Sequence, residues 1–194
     1  MATKIYSGTS EKDGKLVHDS EAYRKWELEI PRSVGLCKNC FRSRRQGSAY
    51  CGQCQNDPPR IKIYQAEQKG FPLMKKIIGH FNLTPSELEH ICFTYGDTLF
   101  FDSPLSYGLV AHELTHVMQQ LHVGSDIWWE KYLKRKKFRL EQEAEAYQQQ
   151  YRVLSMNDPE KAAMALTILA GDLSGKMYGN IIDFDKAVAL ISEQ

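Results

Sequence analysis

The residues most able to do chemistry are His112-Glu113-Leu114-Thr115-His116. Residues four apart on a helix differ by about 40° around its axis, so His112 and His116 project from one side. Two imidazoles so placed can ligate one zinc ion, and Glu113 points to where a water beside that metal would lie. Its carboxylate can take a proton from the water as general base and hand it to a leaving amine. Zinc supplies the other half, by lowering the water's pKa and polarising the scissile carbonyl. The surrounding run Leu109, Val110, Ala111, Leu114 and Val117 is apolar, as this chemistry requires of its helix.

A third protein ligand is needed, and three residues compete. His122 stands six after His116, but that spacing works where a glycine turns the chain back. The corresponding position is Gln119, and Gly124 comes too late. On an unbroken helix His122 lies about 120° from His116. Glu141 and Glu143 lie in a later helix whose apolar face is Leu140, Ala144, Tyr147, Tyr151 and Leu154. Glu143 is about 60° from the middle of that face and Glu141 about 100°, with Glu145 further still, so Glu143 is the expected ligand.

Four of the five cysteines form a second set, Cys37-x2-Cys40 and Cys51-x2-Cys54. Two such pairs bring four thiolates to one point, as tetrahedral structural zinc requires. The stretch MATKIYSGTSEKDGK has no apolar run of the kind a secretory signal carries, so disulfides are the weaker expectation. Cys92, alone in an apolar run, reads as an inert buried thiol. Arg42, Arg44 and Arg45 between the pairs, flanked by Arg32, Lys38, Arg60 and Lys62, could contact nucleic acid or an acidic partner, or form a solvated loop.

Elements to position these groups are legible. A short helix is expected over Ser20–Glu29, ended by Pro31, and another over Phe71–Phe81. Thr84-Pro85 reads as a cap followed by proline at the first helical position. His90–Phe101 holds two β-prone runs around Gly96-Asp97, as in a hairpin. Ser103-Pro104 offers a second capped start to a helix that Gly124 stops. A long helix is expected over Ile127–Ser155, and one or two more after Asp158-Pro159. The basic run Lys131–Arg139 would line an exposed face, and Trp128-Trp129 would anchor the loop between the two metal helices or form a sticky contact site.

The 25 basic and 24 acidic residues leave a net charge of +1, which excludes a polyanion-binding bias of the whole chain. No apolar run approaches the roughly 20 residues needed to cross a bilayer. The chain therefore reads as a cytoplasmic protein without a membrane partner. Three parts are expected: an N-terminal extension (1–33), a four-cysteine zinc ribbon (34–60) and a mainly helical domain (61–194). The ribbon is too short to bury much apolar surface, so its metal would supply its folding energy.

HELTH followed by a glutamate on the next long helix resembles the gluzincin metallopeptidases, in the compact form of the minigluzincins and of small metallopeptidases carried by phages and prophages. The resemblance covers about residues 95–155. It implies an α+β, mainly α fold: a minimal zincin-like core of a short hairpin or small sheet, an active-site helix and a glutamate helix. It implies a peptide or protein substrate, Glu113 as general base, and one catalytic zinc on His112, His116 and a glutamate in an E-x-E-A context. Glu143-Ala144-Glu145-Ala146 and Glu141-Gln142-Glu143-Ala144 both match that context. Four residues after the ligand such families often place an Asp or Asn that hydrogen-bonds a zinc-binding histidine; here stand Tyr147 or Glu145. They commonly support the oxyanion with Tyr, His or Arg, for which Tyr147, Tyr151 and Tyr178 are available. The contrasting expectation is a catalytically silent, phage-related binding or structural protein that keeps the fold.

Overall fold

The computed structural model describes residues 4–5, 25–27, 62–157 and 159–193. The four-cysteine set, Cys37, Cys40, Cys51 and Cys54, and the arginines between its pairs lie outside the described residues. Five short strands form one sheet: β1 (Lys4–Ile5), β2 (Lys25–Glu27), β3 (Tyr64–Ala66), β4 (Phe93–Tyr95) and β5 (Thr98–Phe100). Their spatial order is β1-β2-β3-β5-β4, with β3 and β5 parallel and every other pair antiparallel. Among the described residues there are seven α-helices: α1 (Met74–Phe81), α2 (Pro85–Leu88), α3 (Tyr107–Val123), α4 (Ser125–Lys134), α5 (Lys136–Asn157), α6 (Pro159–Ser174) and α7 (Phe184–Ser192). The described chain is therefore mainly helical with a small sheet, as expected.

Local chemistry accounts for several boundaries. The Thr84 hydroxyl accepts from the Glu87 N–H while Glu87 accepts from the Thr84 N–H, a closed capping box with Pro85 in the first turn. Tyr95 faces Thr98 across a two-residue Gly96-Asp97 turn, which closes the expected hairpin. Helix α3 begins three residues later than Ser103-Pro104 suggests, because Ser106 is the side chain that accepts from the Leu109 N–H at 3.2 Å. It ends at Gly124, whose φ of +90° a side chain would resist.

Two expectations fail for tertiary reasons. Lys25–Glu27 is a strand, not part of a helix: it pairs with Tyr64–Ala66 and satisfies backbone groups that β3 would otherwise expose at the sheet edge. The helix expected over Ile127–Ser155 breaks at Arg135, whose backbone is extended (φ −124°, ψ 101°). The break turns α4 back over α5, so Trp128 and Trp129 belong to a helix packed on the core rather than to a loop anchor. Residues eleven apart on a straight helix sit about 16 Å apart along the axis. Yet the Tyr132 hydroxyl reaches Glu143 at 2.6 Å.

Arg139 holds the break. Of the basic run, Lys134, Arg135, Lys136 and Lys137 are exposed, whereas Arg139 is buried. Its guanidinium donates to the carbonyls of Tyr132 (2.7 Å) and Leu133 (3.4 Å), groups that the end of α4 leaves without helical partners, and to Tyr178 (3.1 Å). It also lies 5.0 Å from the centre of the Phe81 ring.

The core is built in three parts around α3. Leu99, Phe101, Val110, Leu114 and Val117 join sheet to helix. Phe71, Phe93, Phe100, Trp128 and Trp129 fill the space under α4. Tyr147, Leu173, Tyr178 and Ile191 close the helical layer of α5, α6 and α7. Close approach of α3 and α5 depends on Gly108, where a Cβ would lie 3.0 Å from the Leu154 side chain. Among the described residues no helix is long and apolar enough to cross a membrane.

Arg139→Met keeps the apolar stem and removes the donors from three buried carbonyls. It is expected to cost about 3 kcal/mol and to lower the melting temperature by about 6–12 °C. A fall of less than about 2 °C in a thermal unfolding scan would show that α4 does not rely on this cap.

Candidate metal centre

Helix α3 delivers His112 and His116, and α5 delivers Glu143. All three are buried, with exposures of 4%, 6% and 2%. The two Nε2 atoms are 3.1 Å apart. His112 Nε2 lies 3.4 Å from Glu143 Oε2, and His116 Nε2 lies 3.5 Å from Glu143 Oε1. One ligand atom from each residue falls within 4.8 Å of the others. Metal–ligand bonds of about 2.1 Å at tetrahedral angles place neighbouring ligands about 3.4 Å apart. The group therefore has the size and donor set to hold a small divalent cation.

The hydrogen bonds around it agree. Tyr132 donates to Glu143 Oε1, while Glu143 Oε2 is buried with no hydrogen-bond partner among the described residues. A buried carboxylate oxygen left so is costly unless a cation faces it. Electrostatics point the same way. Burial alone would lower the His116 pKa, but the Glu143 carboxylate outweighs it and holds the imidazole up at about 9. Burial would raise Glu143, but His116 and His112 pull it well below the ordinary carboxylate range. Glu143 thus demands positive charge at this point, which a proton or a metal ion can supply.

Glu113 is 4% exposed and lines the same cavity, of about 70 Å³, as the three candidate ligands. The Thr94 hydroxyl, from β4, donates to its Oε2 at 2.7 Å. Burial pushes its pKa above the ordinary value, against the pull of His112, His116 and Thr94. Gln120 fixes the hairpin that carries Thr94: its Nε2 donates to the Thr94 carbonyl and its Oε1 accepts from the Gly96 N–H. Trp129 also donates to that carbonyl. The other cavity walls are largely apolar, including Ile77, Phe81, Leu83 and Met177.

The competing candidates point elsewhere. His122 is exposed, and Glu141 is exposed with Lys137 3.9 Å away. Glu145 is exposed and accepts from Gln119. Tyr147 meets His112 edge to face, with ring centres 4.6 Å apart, and makes its hydroxyl contact with Tyr178 at 3.0 Å. Tyr178 lines the cavity, whereas Tyr151 packs in the helical layer. Cys92 lines the cavity beside Glu113. Burial, then that carboxylate, push its thiol pKa well up, which keeps it protonated and unreactive.

Thr94, Gln119, Gln120 and Tyr132 are parts of the site that the sequence reading passes over. Gln119 alone had a local signal, three residues after His116 on the same face. Tyr132 had none, because its reach to Glu143 exists only through the break at Arg135. No protein-family profile, curated protein or solved structure matches the chain.

The pair sets a pH dependence for the metal-free protein. His116 has its pKa raised from 6.5 to about 9, so the stability it contributes is full below pH 6.5 and is lost as pH climbs toward 9. Glu143, held low, contributes above its ordinary carboxylate value and loses that contribution as pH falls through its depressed one. Urea unfolding in chelator is expected to show declining stability between pH 6.5 and 9. That slope should flatten in Glu143→Gln. Equal slopes in both proteins would dissociate His116 from Glu143.

Proposed function

We propose that the chain is a zinc-dependent peptidase. The observation that carries this reading is the buried His112, His116 and Glu143 cluster sharing one cavity with Glu113, a carboxylate with a raised pKa. Two imidazole nitrogens and a carboxylate as donors favour zinc over magnesium or calcium, which prefer more oxygens. Bound zinc would supply Lewis-acid polarisation of a carbonyl and make a water in reach more acidic.

The protein's own part is positioning and proton transfer. His112, His116 and Glu143 would be the metal ligands. Glu113, held by Thr94 through one oxygen, takes a proton from the attacking water and returns it to the leaving amine. Burial raises its proton affinity above that of an ordinary carboxylate, which favours its taking the proton. The low-dielectric walls strengthen each of these interactions. The four-cysteine set would hold a second, structural zinc, with nucleic acid or an acidic partner as the proposed contact of its arginines.

One observation favours a catalytically silent binding protein instead. Helix α4 lies across the cluster: Trp128 packs 5.4 Å from the His116 ring and Tyr132 bonds Glu143, and both line the partly apolar cavity beside it.

Metal analysis and activity separate the two readings. Purified protein is expected to carry about two zinc per chain, and Glu143→Ala about one. Glu113→Gln should keep the wild-type zinc content and lose peptide-hydrolysing activity by about 10²–10⁴-fold. A Glu113→Gln protein as active as wild type would remove the general base. Full zinc with no hydrolysis in the wild type would leave the silent reading.

A further inference from the structure

We infer that Gln119, braced by Glu145, is the residue that orients His116 for its metal, so that α5 supplies both a ligand and the support of a ligand on α3. The inference rests on the metal-site reading above and concerns how one ligand is held.

Hydrogen-bond bookkeeping fixes every orientation in the chain of contacts. Gln119 is 8% exposed, and its Nε2 lies 3.0 Å from the Gln142 carbonyl oxygen and 2.9 Å from Glu145 Oε2. A backbone carbonyl and an ionised carboxylate only accept, so the Gln119 amide must turn both its N–H groups toward α5. Its Oε1 then faces His116 Nδ1 at 2.9 Å. An amide oxygen also only accepts, so Nδ1 must carry the proton. In a neutral imidazole that leaves the lone pair on Nε2, the atom that faces His112 and Glu143. Reversing the amide would set its NH2 against Nδ1 and its oxygen against two acceptors.

His112 has no equivalent. Its Nδ1 is buried with no hydrogen-bond partner among the described residues, and the aromatic ring of Tyr147 occupies its flank. The two histidines therefore differ: His116 is pre-set in one tautomer, while His112 is confined by packing. Partners that fix a ligating imidazole typically change metal affinity by about 10–100-fold. Glu145 is exposed, so it tunes Gln119 without being part of the core.

The test uses full-length protein loaded with Co²⁺, whose affinity is read by competition with a chelator. The visible band that disappears in Glu143→Ala identifies this site among any others. Gln119→Leu is expected to weaken Co²⁺ binding by about 10–100-fold, while the metal-free protein remains folded at the assay temperature. Glu145→Ala should weaken it by a smaller factor, and Glu145→Gln, which still offers an accepting oxygen, should restore it. Independently, ¹⁵N NMR of the metal-free wild type, at a pH high enough to leave the ring neutral, should show His116 protonated on Nδ1. Gln119→Leu should shift that signature toward a mixture.

A wild-type His116 protonated on Nε2 would overturn the inference, as would a Gln119→Leu affinity equal to wild type. Should Gln119→Leu fail to fold, the Glu145 pair and the wild-type tautomer decide. Should the wild type show no Glu143-dependent Co²⁺ band, the metal reading fails, while the tautomer still decides the role of Gln119.

Discussion

An ionised carboxylate inside a helical core is the constraint on which the rest depends. Glu143 is almost wholly removed from water, and an unpaired charge there would be prohibitively costly. It is tolerated because two imidazoles and a phenol converge on it from two other helices. One buried charge thereby sets the rotation of α5 against α3 and pins α4 over both. A slip of α5 by one residue would move Glu143 by about 100° around its axis and leave the charge unmatched. Gly108, which leaves room for the Leu154 side chain, lets the two backbones come close enough for the pairing.

The sheet serves the same centre from the other side. Its edge strand β4 carries Thr94, whose hydroxyl holds Glu113 and whose carbonyl is taken up by Gln120 and Trp129. Glu113 follows His112 directly in sequence, so it leaves α3 about 100° away and faces the hairpin rather than α5. The HExxH spacing thus divides labour between two layers. Histidines turn to the helical layer, where a carboxylate awaits them, and the base turns to the sheet, where a hydroxyl does.

How much of this is legible in the sequence depends on whether a contact is local. The His112, Glu113 and His116 arrangement is a property of one helix, and helical period plus apolar pattern also single out Glu143 against Glu141. The Thr84 cap, the Gly96-Asp97 turn and the Gly124 stop follow from the conformational demands of single residues. Contacts across elements carry no such signature. Lys25–Glu27 looks helical by composition, yet pairs as a strand because β3 has an open edge. Arg139 looks like one more surface cation in a basic run, yet caps α4 because the chain breaks four residues earlier. Ser103-Pro104 carries the local signal of a capped start, yet it is Ser106 that accepts from the first turn of α3.

The break at Arg135 has the widest reach of these non-local features. Without it the segment from Trp128 to Glu143 would run as one rod, and neither indole nor phenol could cover the histidines. With it, Trp128 and Tyr132 stack 4.7 Å apart above the cluster and exclude water from it. Exclusion of water raises the proton affinity of Glu113, strengthens the pull between Glu143 and the histidines, and makes each unmatched polar atom more costly. The same covering helix that would make the chemistry effective also walls the partly apolar cavity beside the cluster, through Trp128, Trp129 and Tyr132. Site strength and cavity wall are therefore set by a single backbone feature. Its stability rests on three carbonyl contacts from Arg139, a residue that touches neither the candidate ligands nor the base.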